Sequence, residues 1–297
     1  MPSMRVRTFA RVVAGAVALA AFAAPAFAPA QSRRERERDR DRDRDRQETR
    51  RQNREDASER CERGGWGNND RERYCEIREQ TIAARGGTIT IDGGQNGGIQ
   101  VTGWDRSEIL VRAKIQTQAD DEGEARDLAK DVTIETGSVI RADGPSNSRR
   151  AWWSVSFEVM VPRRSDLSLE THNGGINIEG IEGRMEFSAL NGGIHLTDVG
   201  GDVHGGTTNG GVHIELSGSR WSGTGLDVST TNGGINLAIP RDYSARLETG
   251  TVNGGMSFDF PITIQGNLRK RITTTLGDGG PMIRAVTTNG GVRVVRR

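Results

Sequence analysis

The tripeptide Asn-Gly-Gly recurs along this chain, and it constrains the fold more than any other feature. It begins at residues 173, 191, 209, 232, 253 and 289, with an early copy at 96. The starts at 173, 191 and 209 are 18 residues apart, the next gaps are 23 and 21, and the last gap of 36 is twice 18 and contains a degenerate Asp-Gly-Gly at 278–280. A fixed period with a fixed phase predicts stacked, equivalent units.

The residues after each Asn-Gly-Gly alternate between apolar and polar, which is typical of a half-buried β-strand. The first positions after the tripeptide are Ile176, Ile194, Val212, Ile235, Met256 and Val292. The third positions are Ile178, Leu196, Ile214, Leu237, Phe258 and Val294, and the residue between is always polar. When the units stack, these two columns are expected to form continuous interior stripes.

The asparagines of the tripeptides are predicted to stack in a ladder. In a β-solenoid each strand lies beside the same strand of the next coil at ~4.8 Å, so one amide side chain can bond the next. The expected ladder consists of Asn173, Asn191, Asn209, Asn232, Asn253 and Asn289. The glycine pair is expected to adopt positive φ, because the chain would turn sharply beside a crowding neighbour coil.

An antiparallel meander is the alternative to the solenoid. Asn-Gly is also the strongest signal for a type I′ hairpin, and a meander with this turn at every second connection would have the same period. Two observations favour the solenoid: register is kept through many copies, and the last copies run to the C-terminus without a closing pattern.

Shorter elements are predicted before the repeats, within a solenoid domain spanning 79–297. Alternating strands begin at residue 79, and the acid-first segment 120–132 predicts a small helix with one weak apolar stripe. Residues 131–144 predict a hairpin. The strongest strand is expected at 152–162, where Val155, Phe157, Val159 and Val161 share one face and Pro162 ends the strand.

The composition agrees with an all-β protein. The 297 residues include 40 glycines and only 5% aromatics, which argues against a compact helical core and for short strands joined by glycine turns. Lys and Arg number 41 and Asp and Glu 40, so the formal net charge is +1 and nothing indicates nucleic-acid binding.

The N-terminal part predicts export. Residues 1–30 combine an arginine-containing start, a short apolar run and small residues before the expected cleavage site, as a signal peptide does. No later segment is long and apolar enough to predict a transmembrane span. Residues 31–60 are rich in Arg and Asp and are expected to be a disordered linker; an arm that touches peptidoglycan, lipopolysaccharide or another acidic surface is the alternative.

The chain has two cysteines, Cys61 and Cys75. Export would place them in an oxidising compartment, so we predict a disulfide that closes a loop over 61–78 and contributes about 3 kcal/mol by loop entropy. The spacing does not suggest a metal site or a redox motif.

Several segments resemble a known family. Residues 155–183 (VSFEVMVPRRSDLSLETHNGGINIEGIEG), residues 98–104 (GIQVTGW) and residues 277–294 (GDGGPMIRAVTTNGGVRV) are similar to the bacterial putative-adhesin domain family, a domain of unknown function related to the head GIN domain. The similarity covers about residues 83–297. It implies a right-handed β-helix in an exported or envelope-associated protein, and it carries over no catalytic residues.

The histidines are the first candidates for chemistry. His195 and His213 are one period apart and are expected to stack on an outer face, with Glu179 and Glu215 two positions further along the strands and Thr197 between them. Two imidazoles and a carboxylate could hold a divalent metal, although a solvated polar ladder is the simpler interpretation. His204 is expected to form a surface pair with Glu186.

Two other groups could serve a carbohydrate ligand. Glu179 with Glu215, or Asp198 with Asp202, are the carboxylate pairs that a polysaccharide lyase or hydrolase would need. Trp152, Trp153 and Trp221 could stack on sugars, with Trp153 assigned to the outward face, although core or edge packing is the alternative.

The sequence as a whole predicts an exported, non-enzymatic β-solenoid that binds or scaffolds at the cell envelope, in the periplasm, at the cell surface or outside the cell. Envelope polysaccharide or another envelope protein is the expected partner, and no cofactor or metal is expected. The alternatives are a carbohydrate-active β-helix enzyme and a self-assembling structural protein, because solenoid ends can expose unpaired strand edges.

Overall fold

A computed structural model describes Cys61, residues 71–261 and residues 270–297 of the chain. The predicted signal peptide and the Arg/Asp-rich linker lie outside these residues. The described part contains the helix α1 (Glu122–Asp131) and twenty strands. The strands are β1 (Glu72–Ala83), β2 (Thr88–Asp92), β3 (Ile99–Trp104), β4 (Glu108–Ala119), β5 (Thr133–Thr136), β6 (Val139–Asp143), β7 (Trp152–Pro162), β8 (Asp166–Asn173), β9 (Ile176–Glu179), β10 (Glu182–Asn191), β11 (Ile194–Thr197), β12 (Gly200–Asn209), β13 (Val212–Glu215), β14 (Gly225–Asn232), β15 (Ile235–Ile239), β16 (Ala245–Asn253), β17 (Met256–Phe258), β18 (Arg271–Leu276), β19 (Met282–Asn289) and β20 (Val292–Arg296).

The strands form two ten-stranded sheets. Sheet A has the order β1-β4-β7-β3-β9-β11-β13-β15-β20-β17, and sheet B has the order β18-β16-β19-β14-β12-β10-β8-β2-β6-β5. Each Asn-Gly-Gly leads the chain from a strand of sheet B to a strand of sheet A, so one repeat is one coil with two strands. Equivalent strands pair in parallel, for example β10 with β12 and β11 with β13. This pairing confirms the β-solenoid and excludes the antiparallel meander for the repeats.

The predicted interior stripes form the core between the sheets. Ile176, Ile194, Val212 and Ile235 are each at most 2% exposed, and Ile178, Leu196, Ile214 and Leu237 are fully buried. Met256 and Phe258 of the edge strand β17 are only partly buried. Sheet B contributes Leu167, Met185, Val203, Leu226 and Ile283 from the facing side. A third row of sheet B consists mainly of threonines, whose hydroxyl groups donate to backbone carbonyl oxygens at the corner.

The threonine two residues before each asparagine fastens one coil to the next. Thr207 donates to the carbonyl oxygen of Gly192 at 2.8 Å, and Thr230 donates to that of Gly210 at 2.8 Å. The same bond recurs from Thr171, Thr251 and Thr287. The equivalent position in β10 is Ala189, which is 2% exposed and has no hydroxyl group.

The asparagine side chains are joined by hydrogen bonds of 2.8–3.0 Å from the early copy to the end of the stack. The spatial order is Asn96, Asn173, Asn191, Asn209, Asn232, Asn289 and Asn253. The last two members are thus reversed relative to the sequence, and the early copy at 96 is part of the row.

The glycines of the corners are needed for a different reason from the one expected. Among the paired glycines of the seven Asn-Gly-Gly corners, all of which are described, Gly290 alone has a positive φ, of 157°, whereas both glycines of the degenerate Asp-Gly-Gly do; the expectation of positive φ was therefore wrong for the Asn-Gly-Gly corners. A Cβ added at Gly192 would lie 2.0 Å from the carbonyl oxygen of Gly174, and one added at Gly210 would lie 2.0 Å from that of Gly192. The first glycine of each pair is therefore required because the neighbouring coil passes too close for any side chain.

The last two coils are stacked in reverse order, contrary to a stack that follows the sequence. β19 pairs in parallel with β14 on one side and with β16 on the other. This order places Arg284 of β19 between Asp227 of β14, at 2.5 Å, and Glu248 of β16, at 3.2 Å. In the sequential order the two carboxylates would be neighbours, and like charges directly opposite each other destabilise a sheet.

Antiparallel strands cover the N-terminal end of the stack on both sheets and the C-terminal end on sheet B, whereas sheet A ends with the parallel strand β17. β1 pairs with β4 over their full lengths, β4 pairs with β7, and β18 pairs with β16. The predicted domain boundary at residue 79 falls inside β1, whose polar sequence gives no alternation but whose pairing begins at Glu72. Cys75, near the start of this strand, is joined to Cys61 by a disulfide with a Cα–Cα distance of 5.9 Å.

The small helix lies where the sequence predicts it. Asp121 caps its first turn by accepting a hydrogen bond from the backbone N–H of Glu124 at 2.8 Å. Arg78 of β1 donates to the carbonyl oxygens of Ala129 and Val132, so a cation satisfies the C-terminal carbonyl groups. The described residues contain no helix with the length and apolar character needed to span a bilayer.

Candidate functional site

The outer face of sheet A carries a straight row of amide and imidazole side chains. Gln100, Asn177, His195, His213 and Asn236 lie on adjacent parallel strands and are direct register partners. Parallel pairing fixes their spacing at about 4.8 Å along the stack. We call these five residues the amide–imidazole row.

The two histidines of the row contact each other. Their ring centroids are 5.8 Å apart in an edge-to-face arrangement. Nε2 of His213 lies 3.0 Å from Oε1 of Glu215, and Arg297 bonds the other carboxylate oxygen of Glu215 at 2.5 Å. These two partners, His213 first, lower the pKa of Glu215, so that carboxylate is held in its charged form.

A shallow depression of about 410 Å³ runs along the row. It is lined by Gly193, His195, Gly211, Val212, His213, Gly234, Ile235 and Asn236. The glycines in it are the second members of the Asn-Gly-Gly corners, and they provide a floor without side chains beside the imidazoles. The side-chain oxygen Oδ1 of Asn236 is buried there without a hydrogen-bond partner in the described part of the chain, and an unpaired buried acceptor is costly unless a ligand or water bonds it.

The family match covers most of the solenoid. Residues 76–295 match the model of the Toastrack DUF4097 family. The chain belongs to the Toastrack family. The match confirms the resemblance seen in the sequence, since it covers well over half of the chain.

Solved structures with a similar chain path are also found. A putative cell adhesion protein from Clostridium sporogenes ATCC 15579 aligns with 75% of this chain and 100% of its own, at 9% identity and a TM-score of 0.43. A putative adhesin from Bacteroides fragilis NCTC 9343 aligns over 75% and 97%, at 10% identity and a TM-score of 0.36. A putative lipid binding protein from Parabacteroides distasonis ATCC 8503 aligns over 74% and 96%, at 11% identity and a TM-score of 0.30. Similarity at this level carries no argument about ligands. No match is found among the curated proteins.

The carboxylates considered for catalysis in this Toastrack chain lie on two different sheets or share one outer row. Glu179 and Glu215 lie on opposite sides of Thr197 in one outer row, two strands apart. Glu215 has a lowered pKa, whereas a general acid needs a raised one. Asp202 lies on sheet B, where a hydrogen bond from Thr224 and then one from His204 lower its pKa.

The structure also places His204 and the residues considered for a metal site. His204 lies beside Glu186 in register, as expected, but its Nε2 lies 2.8 Å from Oδ1 of Asp202. The expected pair with Glu186 was therefore wrong, because Asp202 is on the same face of the same strand and within reach. Among the described residues, no group of three His, Cys, Asp or Glu side chains is placed to hold a metal ion.

The tryptophans do not form a row on the outer surface. Trp221 is 3% exposed and donates through Nε1 to the carbonyl oxygen of Gly201 at 3.0 Å. Trp153 packs against the core, and its Nε1 donates to the carbonyl oxygen of Pro145 at 2.6 Å. Assigning Trp153 to the outward face was wrong, since it is two residues from Val155 and shares its face.

Sequence reasoning found two of the five residues of the row. It singled out His195 and His213 for their chemistry and treated Gln100, Asn177 and Asn236 as part of the polar alternation. The signal was present, because these residues occupy the same repeat position as the histidines. The glycine floor was not recognised, since all paired glycines were ascribed to the turn.

Proposed function

We propose that this chain is an exported, non-enzymatic binding module of the bacterial cell envelope, and that the amide–imidazole row binds a linear polysaccharide. The row presents hydrogen-bond donors and acceptors at regular spacing along the sheet. A hydroxyl-rich polymer lying along the stack could bond several of them at once, and repeated weak contacts add up to useful affinity.

The second glycine of each corner is the observation that carries the proposal. A Cβ at Gly193 would lie 3.4 Å from the carbonyl oxygen of Gly211, and one at Gly211 would lie 3.6 Å from that of Gly234. At Gly193 and Gly211 these are ordinary van der Waals distances, so stacking does not require glycine at these two positions, in contrast to the first position. The third floor glycine, Gly234, is tighter, because a Cβ there would lie 3.3 Å from the carbonyl oxygen of Gly291. The missing side chains instead keep the floor beside the histidines open.

A buried polar atom also supports a binding site on the outer face of sheet A. Oδ1 of Asn236 has no partner among the residues that the structure describes, and Asn236 lines the depression beside His213. A sugar hydroxyl could donate to this oxygen and remove the cost of its desolvation. The imidazoles could both donate and accept, which suits hydroxyl groups.

Two features of the N-terminal part support export. Residues 1–30 have the composition of a signal peptide. The pair Cys61–Cys75 is oxidised, and disulfides persist in compartments outside the cytosol.

The lowered pKa of Glu215 favours binding over acid catalysis on the outer face of sheet A.

The test is a binding assay on the mature chain with purified peptidoglycan and soluble envelope polysaccharides. The double variant His195→Ala/His213→Ala and the variant Gly211→Thr, which places a side chain on the floor, are expected to weaken binding at least tenfold. His204→Ala is the matched control, because His204 is an exposed histidine on sheet B, and it should bind like the wild type.

Three results would contradict the proposal. The first is the absence of saturable binding to any of the polysaccharides. The second is equal loss of binding in the control and the row variants. The third is release of soluble sugar products that depends on Glu179 or Glu215, which would make the protein an enzyme.

A further inference from the structure

A second cavity in the described part of the chain lies away from the amide–imidazole row. It has a volume of about 760 Å³ and opens at the corner where the chain passes from sheet A back to sheet B at the N-terminal end of the stack. Its walls come from the connection after β1, the turn between β5 and β6, and the corner between β7 and β8. A volume of this size fits the usual range for small-molecule sites, about 300–1,000 Å³.

The cavity exists because one corner lacks an apolar side chain. The equivalent corners of the later coils are filled by Ile181, Val199, Trp221 and Tyr243, each at most 8% exposed. At the β7–β8 corner, the bridge between residues 164 and 182 places Arg163 beside Ile181 in register.

The side chain of Arg163 does not fill the corner. It is 52% exposed and pairs with Asp105 at 2.9 Å. The space that an apolar residue occupies in the later corners therefore stays open at this one.

The interior of the cavity is apolar. Ile109 and Ile140 are buried in its wall at 5% and 3% exposure. Ile82 and Ile89 also line it and pack only partly against the core. Covering these isoleucine side chains with a hydrocarbon chain lowers the free energy by about 25 cal/mol per Å² of apolar surface removed from water.

The rim carries two arginines whose guanidinium groups make no hydrogen bond or ion pair with the described residues, Arg85 and Arg164. The rim also includes two carboxylates, but each already has a donor within the protein. Asp166 accepts from the backbone N–H of Arg184 at 2.8 Å, and Glu182 accepts from Ser222 at 2.5 Å. The rim as a whole carries two positive and two negative charges, and Arg85 and Arg164 are its charged groups without a partner among the described residues.

We propose that this cavity binds a single-chain amphiphile with an anionic headgroup, its hydrocarbon chain covering the isoleucines and its headgroup held by Arg85 and Arg164. Guanidinium groups bond carboxylates and phosphates with charge-assisted, often bidentate geometry. This site is separate from the amide–imidazole row, so either proposal can fail without the other.

The experiment is isothermal titration calorimetry of the full mature chain with dodecanoate below its micelle concentration. Acetate tests the headgroup alone, and dodecyltrimethylammonium tests a chain of the same length with the opposite charge. Vesicles of anionic phospholipid test whether a membrane surface, rather than one amphiphile, is the ligand.

We expect saturable binding of one dodecanoate per chain and no binding of acetate. The variant Arg85→Ala/Arg164→Ala should bind at least about tenfold more weakly, since each lost charge-assisted bond corresponds to that factor or more. Ala84→Trp, which puts a large side chain into the cavity, should also abolish binding. Arg149→Ala/Arg150→Ala removes two exposed arginines elsewhere and should bind like the wild type.

The proposal is overturned if dodecanoate does not saturate, if both cavity variants bind it unchanged, or if dodecyltrimethylammonium binds as well as dodecanoate. It is also overturned if the protein binds the vesicles but not monomeric dodecanoate. Circular dichroism of each variant separates loss of binding from loss of folding.

Discussion

Replacing the first glycine of a corner by alanine should open the stack at that coil. In Gly210→Ala the new Cβ would lie 2.0 Å from the carbonyl oxygen of Gly192, where ordinary contact begins at 3.4 Å, so the coils must separate there by about 1.4 Å. Three hydrogen bonds of 2.8–3.0 Å cross this corner. The backbone N–H of Gly192 donates to the carbonyl oxygen of Asn209, the side-chain amide of Asn209 donates to that of Asn191, and the hydroxyl of Thr207 donates to the carbonyl oxygen of Gly192. A displacement of this size takes all three beyond hydrogen-bonding distance. At ~1 kcal/mol each, the expected loss of unfolding free energy is about 3 kcal/mol.

The matched control is Gly211→Ala, one residue along the same corner. Its Cβ would lie 3.6 Å from the nearest atom, the carbonyl oxygen of Gly234, so we expect a change within about 0.5 kcal/mol. Urea unfolding followed by circular dichroism gives both values, provided that the slopes agree. Equal stability of the two variants would refute the reasoning that close approach of the next coil, rather than backbone angle, selects the first glycine.

Three further predictions concern stability. Ala189→Thr should raise the unfolding free energy by about 1 kcal/mol in urea unfolding, because the new hydroxyl can donate to the corner carbonyl of Gly174 as the other threonines of its row do; no gain would contradict that role. Arg284→Gln should cost about 1 kcal/mol at low salt and less at high salt, since it leaves two carboxylates facing each other across one strand; a salt-independent loss would contradict the electrostatic argument. Burial raises the pKa of Tyr243 from 10.0 to about 12, so the stabilisation it gives is complete below pH 10 and should decline as pH rises toward 12; Tyr243→Phe should lack this component, and an identical pH profile in the variant would contradict it.

The coils could be predicted because their information is local and repeated. Asn191 and Ile194 recur with the same neighbours in each unit, so one correct reading of a unit applies to all of them. The reversed order of the last coils could not be read in this way, because every unit offers the same corner to its neighbours. The reason for that order is visible only when Arg284 is seen between its two carboxylate partners.

The candidate sites were predictable only in part. His195 was identified by its chemistry, whereas the role of Gly211 required knowing how much space the next coil leaves. The N-terminal cavity gave no signal, because residues 163–165 look like an ordinary polar connection. β1 was assigned too late in the chain, since Glu72 and its neighbours lack the alternation that marks a half-buried strand.

The most direct test of the proposed function is a nuclear magnetic resonance titration of the mature chain with soluble fragments of envelope polysaccharide. Backbone amide shifts are expected to move at Gly193, His195, Gly211 and His213, and to stay constant on the outer face of sheet B around His204. Shift changes on sheet B, or none at saturating fragment concentration, would contradict the assignment of the binding face.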